Sequence, residues 1–334
     1  MEIFERTDLR FAMVGSGSWA TALIKLLLNH QKKISWYLRD DKRIELIRKN
    51  RRNAYLRAVT LDPERIDMSS DIDAVVESSD VIVFCMPSAY FLDTMKNLHV
   101  SLEGKFLVSA IKGFVGNYQT IAEYFHFQHN VPFSRIGVVS GPCHAEEVSM
   151  ERLSYLTLTS KYIETARQLC DVFACDYIKA TPGTDIYGVE YASALKNIYS
   201  IAAGICHGLG YGDNFMAVLM TNSFKEMVNF LNVSHPDPNR DVTSSPYLGD
   251  LLVTGYSQFS RNRTFGNMLG KGYSVKTAQM EMSMVAEGYY ASRCINEINK
   301  RFRVDMPIAE AVYDILHNDK YPPYVIRSLT EKLF

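Results

Sequence analysis

The chain has 334 residues, of which 47% are hydrophobic and 22% charged, a composition typical of a globular protein long enough for two domains. Its formal net charge of -1 argues against a protein that holds nucleic acid on a basic surface. No apolar run approaches the length of a membrane span, and the N-terminus carries acidic residues without an apolar signal core. We therefore expect a cytoplasmic protein whose six scattered cysteines are reduced.

The segment 10–28 predicts a strand, a glycine turn and a helix in immediate succession. The apolar run 11–14 is typical of a short buried strand, and leucines at helix spacing follow the turn. Gly15, Gly17 and Ala20 stand in the G-x-G-x-x-G/A register of dinucleotide-binding sites. In such a site the first glycine permits the tight turn, the second lets a pyrophosphate approach the backbone, and the small third residue allows close packing of the helix. The alternative is a strand-to-helix turn that binds nothing.

Strands and helices alternate through the first half of the chain. Strands are predicted at 33–38, 80–85, 105–111, 135–139 and 176–180, and helices at about 42–50, 72–77, 89–98, 119–126 and 162–173. Residues 51–71 are expected to be irregular. This alternation predicts an α/β fold with a doubly wound, mostly parallel sheet. Ligands of such sheets bind beyond the carboxyl ends of the strands, so Gly15, Pro87, Lys112 and Gly141 are expected to surround one crevice.

The end of the second predicted strand gives a mixed signal about the cofactor. An acidic residue at this point favours NAD, whereas a basic residue accommodates the additional phosphate of NADP. Arg39 comes first here and Asp40 and Asp41 follow, so the preference between NAD and NADP stays open. For the two aspartates, a solvated turn is the preferred interpretation.

A domain boundary is expected at Thr181–Thr184, where Pro182 and Gly183 interrupt the pattern. We predict a dinucleotide-binding domain at residues 1–183 and an all-helical substrate-binding domain at residues 184–334. Helices of the second domain are predicted at 189–209, 213–231, 275–284, 287–302 and 307–316, with a polar loop at 232–246. Asp213 is expected to be the N-cap of its helix.

Lys196 is the single lysine of a helix that is otherwise almost entirely apolar. Such a helix is expected to be buried, and a buried lysine is costly unless it is paired or neutral. Burial and nearby positive charge lower the pKa of a lysine, which suits a general base. Ser193, Ser200 and Ala203 on the same face are compact and leave room for a substrate. The alternatives are a lysine that extends to the surface and one that forms a structural ion pair.

Three further segments carry polar residues with alternative interpretations. Asp250 lies in an apolar setting, where it could orient Lys196 or a substrate hydroxyl, or simply cap a helix. The segment 260–266 contains two arginines around an asparagine, which suits a phosphate or carboxylate, although a solvated basic turn is the alternative. Cys143 and His144 could be metal ligands, but no second pair stands at zinc-site spacing, so a polar pair in a loop is the preferred interpretation.

Together these motifs resemble the NAD(P)-dependent glycerol-3-phosphate dehydrogenase family. The resemblance runs from about residue 10 to about residue 316, and its motifs are specific in their order and spacing. They are G-S-G-S-W-A at 15–20, I-K-G at 111–113, G-P-x-x-A-E at 141–146, A-L-K-N at 194–197, G-L-G-Y-G-D-N at 208–214, G-D-L at 249–251 and S-R-N-R-x-F-G at 260–266.

The resemblance implies an oxidoreductase that interconverts dihydroxyacetone phosphate and sn-glycerol 3-phosphate by hydride transfer with NAD or NADP. The reduction would supply glycerol 3-phosphate for glycerophospholipid synthesis. By resemblance, Lys196 donates or accepts the proton, Lys112 contacts substrate and cofactor, and Asp250 belongs to the catalytic set. The implied substrate-binding positions are Lys112, Gly141, Cys143, Lys196, Asp250, Ser260, Arg261 and Asn262. The implied cofactor-binding positions are Gly15, Gly17, Ser18, Trp19, Arg39, Lys112, Ala145, Arg261, Val285 and Glu287.

The chain departs from the family pattern at Cys143 and His144, where the family usually has Ser or Thr followed by Phe. A thiol replaces the hydroxyl that would touch the substrate, and a thiol is the weaker donor. No metal, nucleic acid or membrane span is expected, and a homodimer stays open. The alternatives are a related β-hydroxyacid or 6-phosphogluconate-type dehydrogenase with the same two-domain plan, and a dinucleotide sensor without catalysis.

Overall fold

The computed structural model describes residues 8–334, and these residues divide into two compact units. The first unit comprises 8–111 and Ile121–Ile186, and the second comprises Lys112–Thr120 and Tyr187–Phe334. The boundary expected between residues 183 and 184 stays a prediction. The structure adds that Lys112–Thr120 groups with the C-terminal part of the chain, although only two residues separate this segment from a strand of the first unit.

The first unit is built on one eight-stranded sheet with the strand order β3-β2-β1-β4-β5-β6-β7-β8. The strands are β1 (Phe11–Val14), β2 (Ile34–Tyr37), β3 (Ile66–Ser69), β4 (Val81–Phe84), β5 (Phe106–Ser109), β6 (Ile136–Ser140), β7 (Ser154–Ser160) and β8 (Ile178–Gly183). The first six strands are parallel in the order 3-2-1-4-5-6, which is the doubly wound arrangement of dinucleotide-binding sheets. Only the β6–β7 pair is antiparallel among the described strands. The predicted mostly parallel, doubly wound sheet is confirmed.

Burial explains which strands the sequence pattern detects. Every residue of β1 and of β4 is buried, as expected for central strands that are covered on both faces. The edge strand β3 has the sequence Ile-Asp-Met-Ser, and its side chains alternate between buried and solvent-facing. It lies within the segment 51–71 that was expected to be irregular, so that expectation was wrong here. The strand is too short and too polar to be read from composition alone.

Seven helices connect the strands of the first unit. They are α1 (Ser18–Leu27), α2 (Asp41–Asn50), α3 (Ile72–Glu77), α4 (Phe91–Met95), α5 (Ile121–His129), α6 (Ala145–Ser149) and α7 (Ile163–Phe173). Short 3-10 turns precede β3, α4 and β6.

The second unit is helical throughout its described elements. Its helices are α8 (Ile186–Gly208), α9 (Asp213–Ser234), α10 (Asp250–Tyr256), α11 (Arg261–Gly270), α12 (Val275–Glu281), α13 (Glu287–Phe302), α14 (Pro307–His317) and α15 (Pro322–Thr330), with a π-helical turn at Ser245–Gly249 before α10. The basic segment 260–266, for which a turn was one interpretation, forms the start of α11. Asp213 is the first residue of α9 rather than its N-cap, which is Gly212.

Glycines bring α8 and α11 into unusually close contact. A Cβ atom on Gly204 would lie 2.1 Å from the Arg263 carbonyl oxygen, and one on Gly266 would lie 2.1 Å from the Ile201 carbonyl oxygen. Gly208 and Gly270 repeat the arrangement four residues further along each helix. Because only glycine allows the backbones to approach this closely, these positions fix how the residues at the start of α11 lie relative to α8.

None of the helices described for residues 8–334 combines the length and the apolarity that crossing a membrane requires.

Candidate active site

The glycine turn of the first unit has the geometry that a diphosphate requires. Gly15 has a φ of 132°, and a Cβ atom there would lie 1.9 Å from the Cys85 carbonyl oxygen, so the turn depends on glycine. Gly17 is different, because its φ is -78° and a Cβ atom on it would have no atom of the described chain within 4 Å. Gly17 therefore leaves open space where a ligand can approach the backbone.

The N-terminus of α1, which follows this turn, has features that suit the binding of an anion. Among the described residues, no side chain caps the N-terminus of α1, and its first turn contains no acidic residue. The indole Nε1 of Trp19 is buried and has no hydrogen-bond partner within residues 8–334. Ser18 and Ala20 are buried at the base of the helix. A helix N-terminus without a side-chain cap, open space at Gly17 and an unsatisfied donor together fit a bound dinucleotide.

Two side chains of the first unit, one on α2 and one just after it, form hydrogen bonds with Ser16 in the glycine turn. Arg43 donates from Nη1 to the Ser16 Oγ atom at 3.0 Å. Buried Asn53 donates from Nδ2 to the Ser16 carbonyl oxygen at 3.0 Å and to the Thr21 Oγ1 atom at 2.7 Å. Arg39, which directly follows buried Leu38 after β2, is exposed.

The predicted positions 141–145 lie after β6, at the same carboxyl edge of the sheet. Gly141 has a φ of 113°, and a Cβ atom there would lie 2.7 Å from the Tyr155 carbonyl oxygen. The thiol of Cys143 donates to that same oxygen at 3.2 Å. Ala145 is buried at the start of α6. The thiol of Cys143 therefore secures the loop to β7, which gives it a structural role that sequence reasoning did not include.

The second unit contains a buried cluster of two lysines and one aspartate. Lys196 is 4% exposed and Asp250 is 1% exposed. The Asp250 carboxylate accepts hydrogen bonds from both lysines, with Lys196 on Oδ1 and Lys112 at 3.3 Å on Oδ2. Lys112 retains 20% exposure of its side chain, so it lies at the rim of the cluster. Within this unit the fold brings together three of the predicted residues from widely separated parts of the sequence.

Burial and charge set the protonation of this cluster. Burial lowers the pKa of Lys196 to about 7; Asp250 opposes this effect, and the positive charge of Lys112 adds to it. Burial by itself would raise the pKa of Asp250, but the two lysines outweigh this effect and hold the pKa of the carboxyl below its usual value. Asp250 is therefore ionised at neutral pH, whereas Lys196 can change its protonation there. Such a lysine can donate or accept a proton under ordinary conditions.

Asn197 is a site residue that sequence reasoning missed. It is buried, it donates to the Lys112 carbonyl oxygen at 3.3 Å, and its Oδ1 atom accepts from Asn262 Nδ2 at 2.9 Å. Asn262 in turn accepts from the Gly288 backbone N–H at 2.9 Å. The sequence feature that could have identified Asn197 is its polarity, because it is a second polar residue next to Lys196 on an apolar helix. Its contacts explain how α8 orients both the Lys112 segment and the start of α11.

A hydroxyl chain links the remaining predicted residues of α10 and α11. The Oγ atoms of Ser200 and Ser260 lie 2.8 Å apart, and Ser200 also donates to the Thr254 carbonyl oxygen at 2.8 Å. Ser260 also caps α11 by accepting from the Arg263 N–H at 3.3 Å. The Thr254 hydroxyl donates to the Asp250 carbonyl oxygen at 2.6 Å. Ser260 thus holds α11 to α8, and Asp250 starts α10 without being its N-cap.

The other predicted positions of this unit lie at two helix N-termini. Arg261 is the first residue of α11, directly before buried Asn262. Glu287 is the first residue of α13, and Val285 precedes it in the connection from α12.

Comparisons with known proteins agree over nearly the whole chain. The family model described as NAD-dependent glycerol-3-phosphate dehydrogenase N-terminus matches residues 10–166, and the corresponding C-terminus model matches residues 185–327. A glycerol-3-phosphate dehydrogenase [NAD(P)+] of Prosthecochloris aestuarii is 36% identical over 312 residues, which cover 92% of this chain and 93% of that protein. The glycerol-3-phosphate dehydrogenase [NAD(P)+] of Halothermothrix orenii is 35% identical over 329 residues, which cover 96% of this chain and 94% of that protein.

A solved structure gives the same result for the fold. The crystal structure of glycerol-3-phosphate dehydrogenase from Coxiella burnetii is similar with a TM-score of 0.90 and 26% sequence identity. The match covers 98% of this chain and 100% of that one.

Proposed function

The chain belongs to the NAD-dependent glycerol-3-phosphate dehydrogenase family, and from this premise we propose that Lys196, Asp250 and Lys112 form its catalytic centre. The reaction of the family is the interconversion of dihydroxyacetone phosphate and sn-glycerol 3-phosphate with NAD(P). The observation that carries the proposal is the buried contact of Lys196 with ionised Asp250 beside Lys112, in which burial and the Lys112 charge outweigh the aspartate and lower the pKa of Lys196 to about 7.

In the reduction, the substrate ketone needs a hydride on carbon and a proton on oxygen. Bound NADH or NADPH supplies the hydride. Lys196 in its ammonium form donates the proton to the developing alkoxide, and the neutral amine accepts it back in the oxidation of the alcohol. Lys112 adds positive charge that stabilises the alkoxide as it forms. Asp250 is a positioning residue that holds both lysines through one carboxylate.

Arg261 is proposed to bind the phosphate of the triose, together with Asn262. A guanidinium forks onto two oxygens of a phosphate, and the N-terminus of a helix favours an anion. The chain supports this role through Asn262, which the Asn197 and Gly288 contacts hold in one orientation. Binding energy at the phosphate, remote from the reacting carbon, orients the ketone for hydride transfer.

Gly15, Gly17, Ser18 and Trp19 are proposed to bind the diphosphate of the cofactor, supported by the open space at Gly17. Arg39 and Ala145 are proposed to contact the cofactor from the same sheet edge. Lys112, Arg261, Val285 and Glu287 complete the proposed cofactor-binding set, and Gly141, Cys143 and Ser260 the proposed substrate-binding set.

We further propose that the protein acts in the cytoplasm and that its reduction supplies glycerol 3-phosphate for glycerophospholipid synthesis. A phosphorylated triose is the proposed substrate, and a homodimer stays open. Light scattering on the purified full-length chain measures the oligomeric state.

The deciding experiment measures oxidation of NADH and of NADPH by the purified protein after addition of dihydroxyacetone phosphate. Lys196→Met should lower the rate by about a hundredfold or more, because it removes the proton donor while keeping the length of the side chain. Lys276→Met removes an exposed lysine of α12 and is the matched control.

Three results would contradict the proposal. They are cofactor binding without turnover, which would favour a dinucleotide sensor, faster turnover of a β-hydroxyacid or 6-phosphogluconate, and a Lys196→Met variant as active as its control.

A further inference from the structure

Ser200 lies at a junction of three helices and has no part in the proposed mechanism. It is fully buried on α8, one helical turn after Lys196. Its Oγ atom donates to the Thr254 carbonyl oxygen of α10 at 2.8 Å and lies 2.8 Å from the Oγ atom of Ser260, which caps α11. A buried hydroxyl with these contacts joins α10 and α11 to α8.

The direction of the two hydrogen bonds follows from the number of protons available. A serine hydroxyl has one proton and two lone pairs. The Thr254 carbonyl oxygen can only accept, so the single proton of Ser200 points to it. In the contact between the two serines, Ser260 is therefore the donor and Ser200 the acceptor. The Ser260 hydroxyl thereby keeps the Ser200 proton directed at α10.

Two polar contacts, one helical turn apart, connect α8 with α10. Lys196 and Ser200 are four residues apart on α8. Their partners Asp250 and Thr254 are four residues apart on α10. Residues at this spacing lie on the same face of a helix. A single contact would let α10 turn about it, whereas two contacts fix both its rotation and its position along α8.

The local structure of α10 gives Asp250 little support of its own. The helix has seven residues, Asp250 is the first of them, and among the described residues no side chain caps its N-terminus. The chain enters α10 through the π-helical turn Ser245–Gly249. Most of the stability of a short helix comes from tertiary packing, so the placement of Asp250 depends on the contacts of α10 with other helices. In contrast, close glycine contacts already fix α11 against α8.

We propose that Ser200 is a positioning residue for proton transfer, which holds α10 so that the Asp250 carboxylate stays in contact with Lys196. The inference rests on the proposed function of Lys196 and adds a residue that supports it. Without the Ser200 hydroxyl, the buried Thr254 carbonyl oxygen would lose this hydrogen bond. Of the two contacts one turn apart, only the one between Lys196 and Asp250 would remain.

A looser contact between α8 and α10 should change the charge balance at Lys196. Among the described residues, the charged groups that act on Lys196 are Asp250, which raises its pKa, and Lys112, which lowers it. A longer distance between Lys196 and Asp250 weakens the first effect and leaves burial and Lys112 to lower the pKa of Lys196 further. Because reduction requires the ammonium form, its midpoint should move to lower pH.

The test measures kcat/KM for the reduction of dihydroxyacetone phosphate against pH, in the purified full-length protein and in Ser200→Ala. We expect the midpoint in Ser200→Ala to move down by about half a pH unit. At about pH 7 its kcat should fall about fivefold, because the proton donor is less well placed.

Ser223→Ala is the matched control. Ser223 is a fully buried serine of α9 in the same unit, and its hydroxyl donates at 2.8 Å to the Leu219 carbonyl oxygen of its own helix. This variant removes a buried hydroxyl that joins no two helices, so the midpoint and kcat should stay those of the unchanged protein. Ser200→Cys keeps a side chain of similar shape with a weaker donor, so it should shift the midpoint in the same direction as Ser200→Ala.

An unshifted midpoint in Ser200→Ala would overturn the proposal, since Ser200 would then be a packing residue only. If the alanine variant does not fold, an unshifted midpoint in Ser200→Cys has the same meaning. An equal shift in Ser223→Ala would also overturn the proposal, because the loss of any buried hydroxyl would then have this effect. No turnover of dihydroxyacetone phosphate by the unchanged protein would instead contradict the proposed function itself.

Discussion

The Asp250 carboxylate accepts a hydrogen bond from Lys196, although the two residues are 54 positions apart and both are almost fully buried. A buried lysine with a buried carboxylate normally forms a permanently charged pair. Here the burial of Lys196 and the nearby Lys112 ammonium offset the effect of Asp250, so the pKa of Lys196 falls to about 7. The pair can therefore change its protonation at neutral pH.

The two directions of the reaction should have opposite pH dependence. Reduction requires the Lys196 ammonium, so its kcat/KM should fall as the pH rises through about 7. Oxidation requires the neutral amine, so its kcat/KM should rise over the same interval. Initial rates of reduction and oxidation, measured at saturating cofactor across the pH range, test this pH dependence. A reduction rate that stays flat between about pH 6 and about pH 9 would contradict it.

Asp250→Asn should shift this pH profile toward acid. The Asp250 charge raises the pKa of Lys196, and its removal leaves burial and Lys112 to lower that pKa further. We expect the midpoint for reduction to move down by about one pH unit or more. Asp305→Asn changes an exposed aspartate of the same unit and serves as the control. An unshifted midpoint in Asp250→Asn would mean that the profile reports another group.

Glu226 should make the stability of the second unit depend on pH. Its carboxylate accepts from the backbone N–H groups of Ile308 and Ala309 at 2.8 and 3.0 Å, at the start of α14. Burial raises its pKa to about 8 in spite of these bonds. In the unfolded chain the carboxyl ionises near about pH 4.3, so between these values the folded state binds more protons and stability falls as pH rises.

Glu226→Gln removes this titration and should flatten the loss of stability toward pH 8, as measured by urea midpoints across the pH range. Glu281→Gln changes an exposed glutamate of α12 for comparison. The same slope in Glu226→Gln and in the unchanged protein would show that Glu226 is not responsible.

Gly17→Val should separate cofactor binding from folding. The open space at Gly17 and its φ of -78° allow the new side chain in the unliganded protein, but the isopropyl group occupies the approach to the helix N-terminus. The melting temperature should stay close to that of the unchanged protein, whereas binding of NADH and NADPH should be lost. Normal binding in Gly17→Val would remove the turn from the cofactor site.

Gly15→Ala is the contrasting variant. It places a Cβ atom 1.9 Å from the Cys85 carbonyl oxygen at a φ of 132°, so it should lower the melting temperature itself.

Gly204→Ala should destabilise the protein and also disturb substrate binding. Its Cβ atom would lie 2.1 Å from the Arg263 carbonyl oxygen, so α8 and α11 must move apart. We expect a loss of about 1–3 kcal/mol in the free energy of unfolding, as for other overpacked sites. Because Arg261 and Asn262 lie on α11, the KM for dihydroxyacetone phosphate should rise as well. Gly212→Ala, at a position with no atom of the described chain within 4 Å, is the control.

The sequence by itself determined the nucleotide-binding half of the fold and the chemical type of the site. The strand, glycine turn and helix at 11–27 are local features, set by hydrophobic spacing and by the conformational freedom of glycine. Lys196 was recognisable because a charged residue on an apolar helix conflicts with burial. The edge strand β3 and the helix α11 escaped detection because their own residues are too polar to reveal which face is buried.

Only the tertiary structure decided which polar residues meet. Lys112 and Asp250 are 138 positions apart, and Asn197 and Lys112 are 85 apart, so no spacing rule connects them. Hydrophobic periodicity specifies which face of each element is buried, but the partners of a buried polar group depend on how distant elements pack. The pKa of Lys196 follows from that packing, because it depends on burial and on two charges brought from elsewhere in the chain.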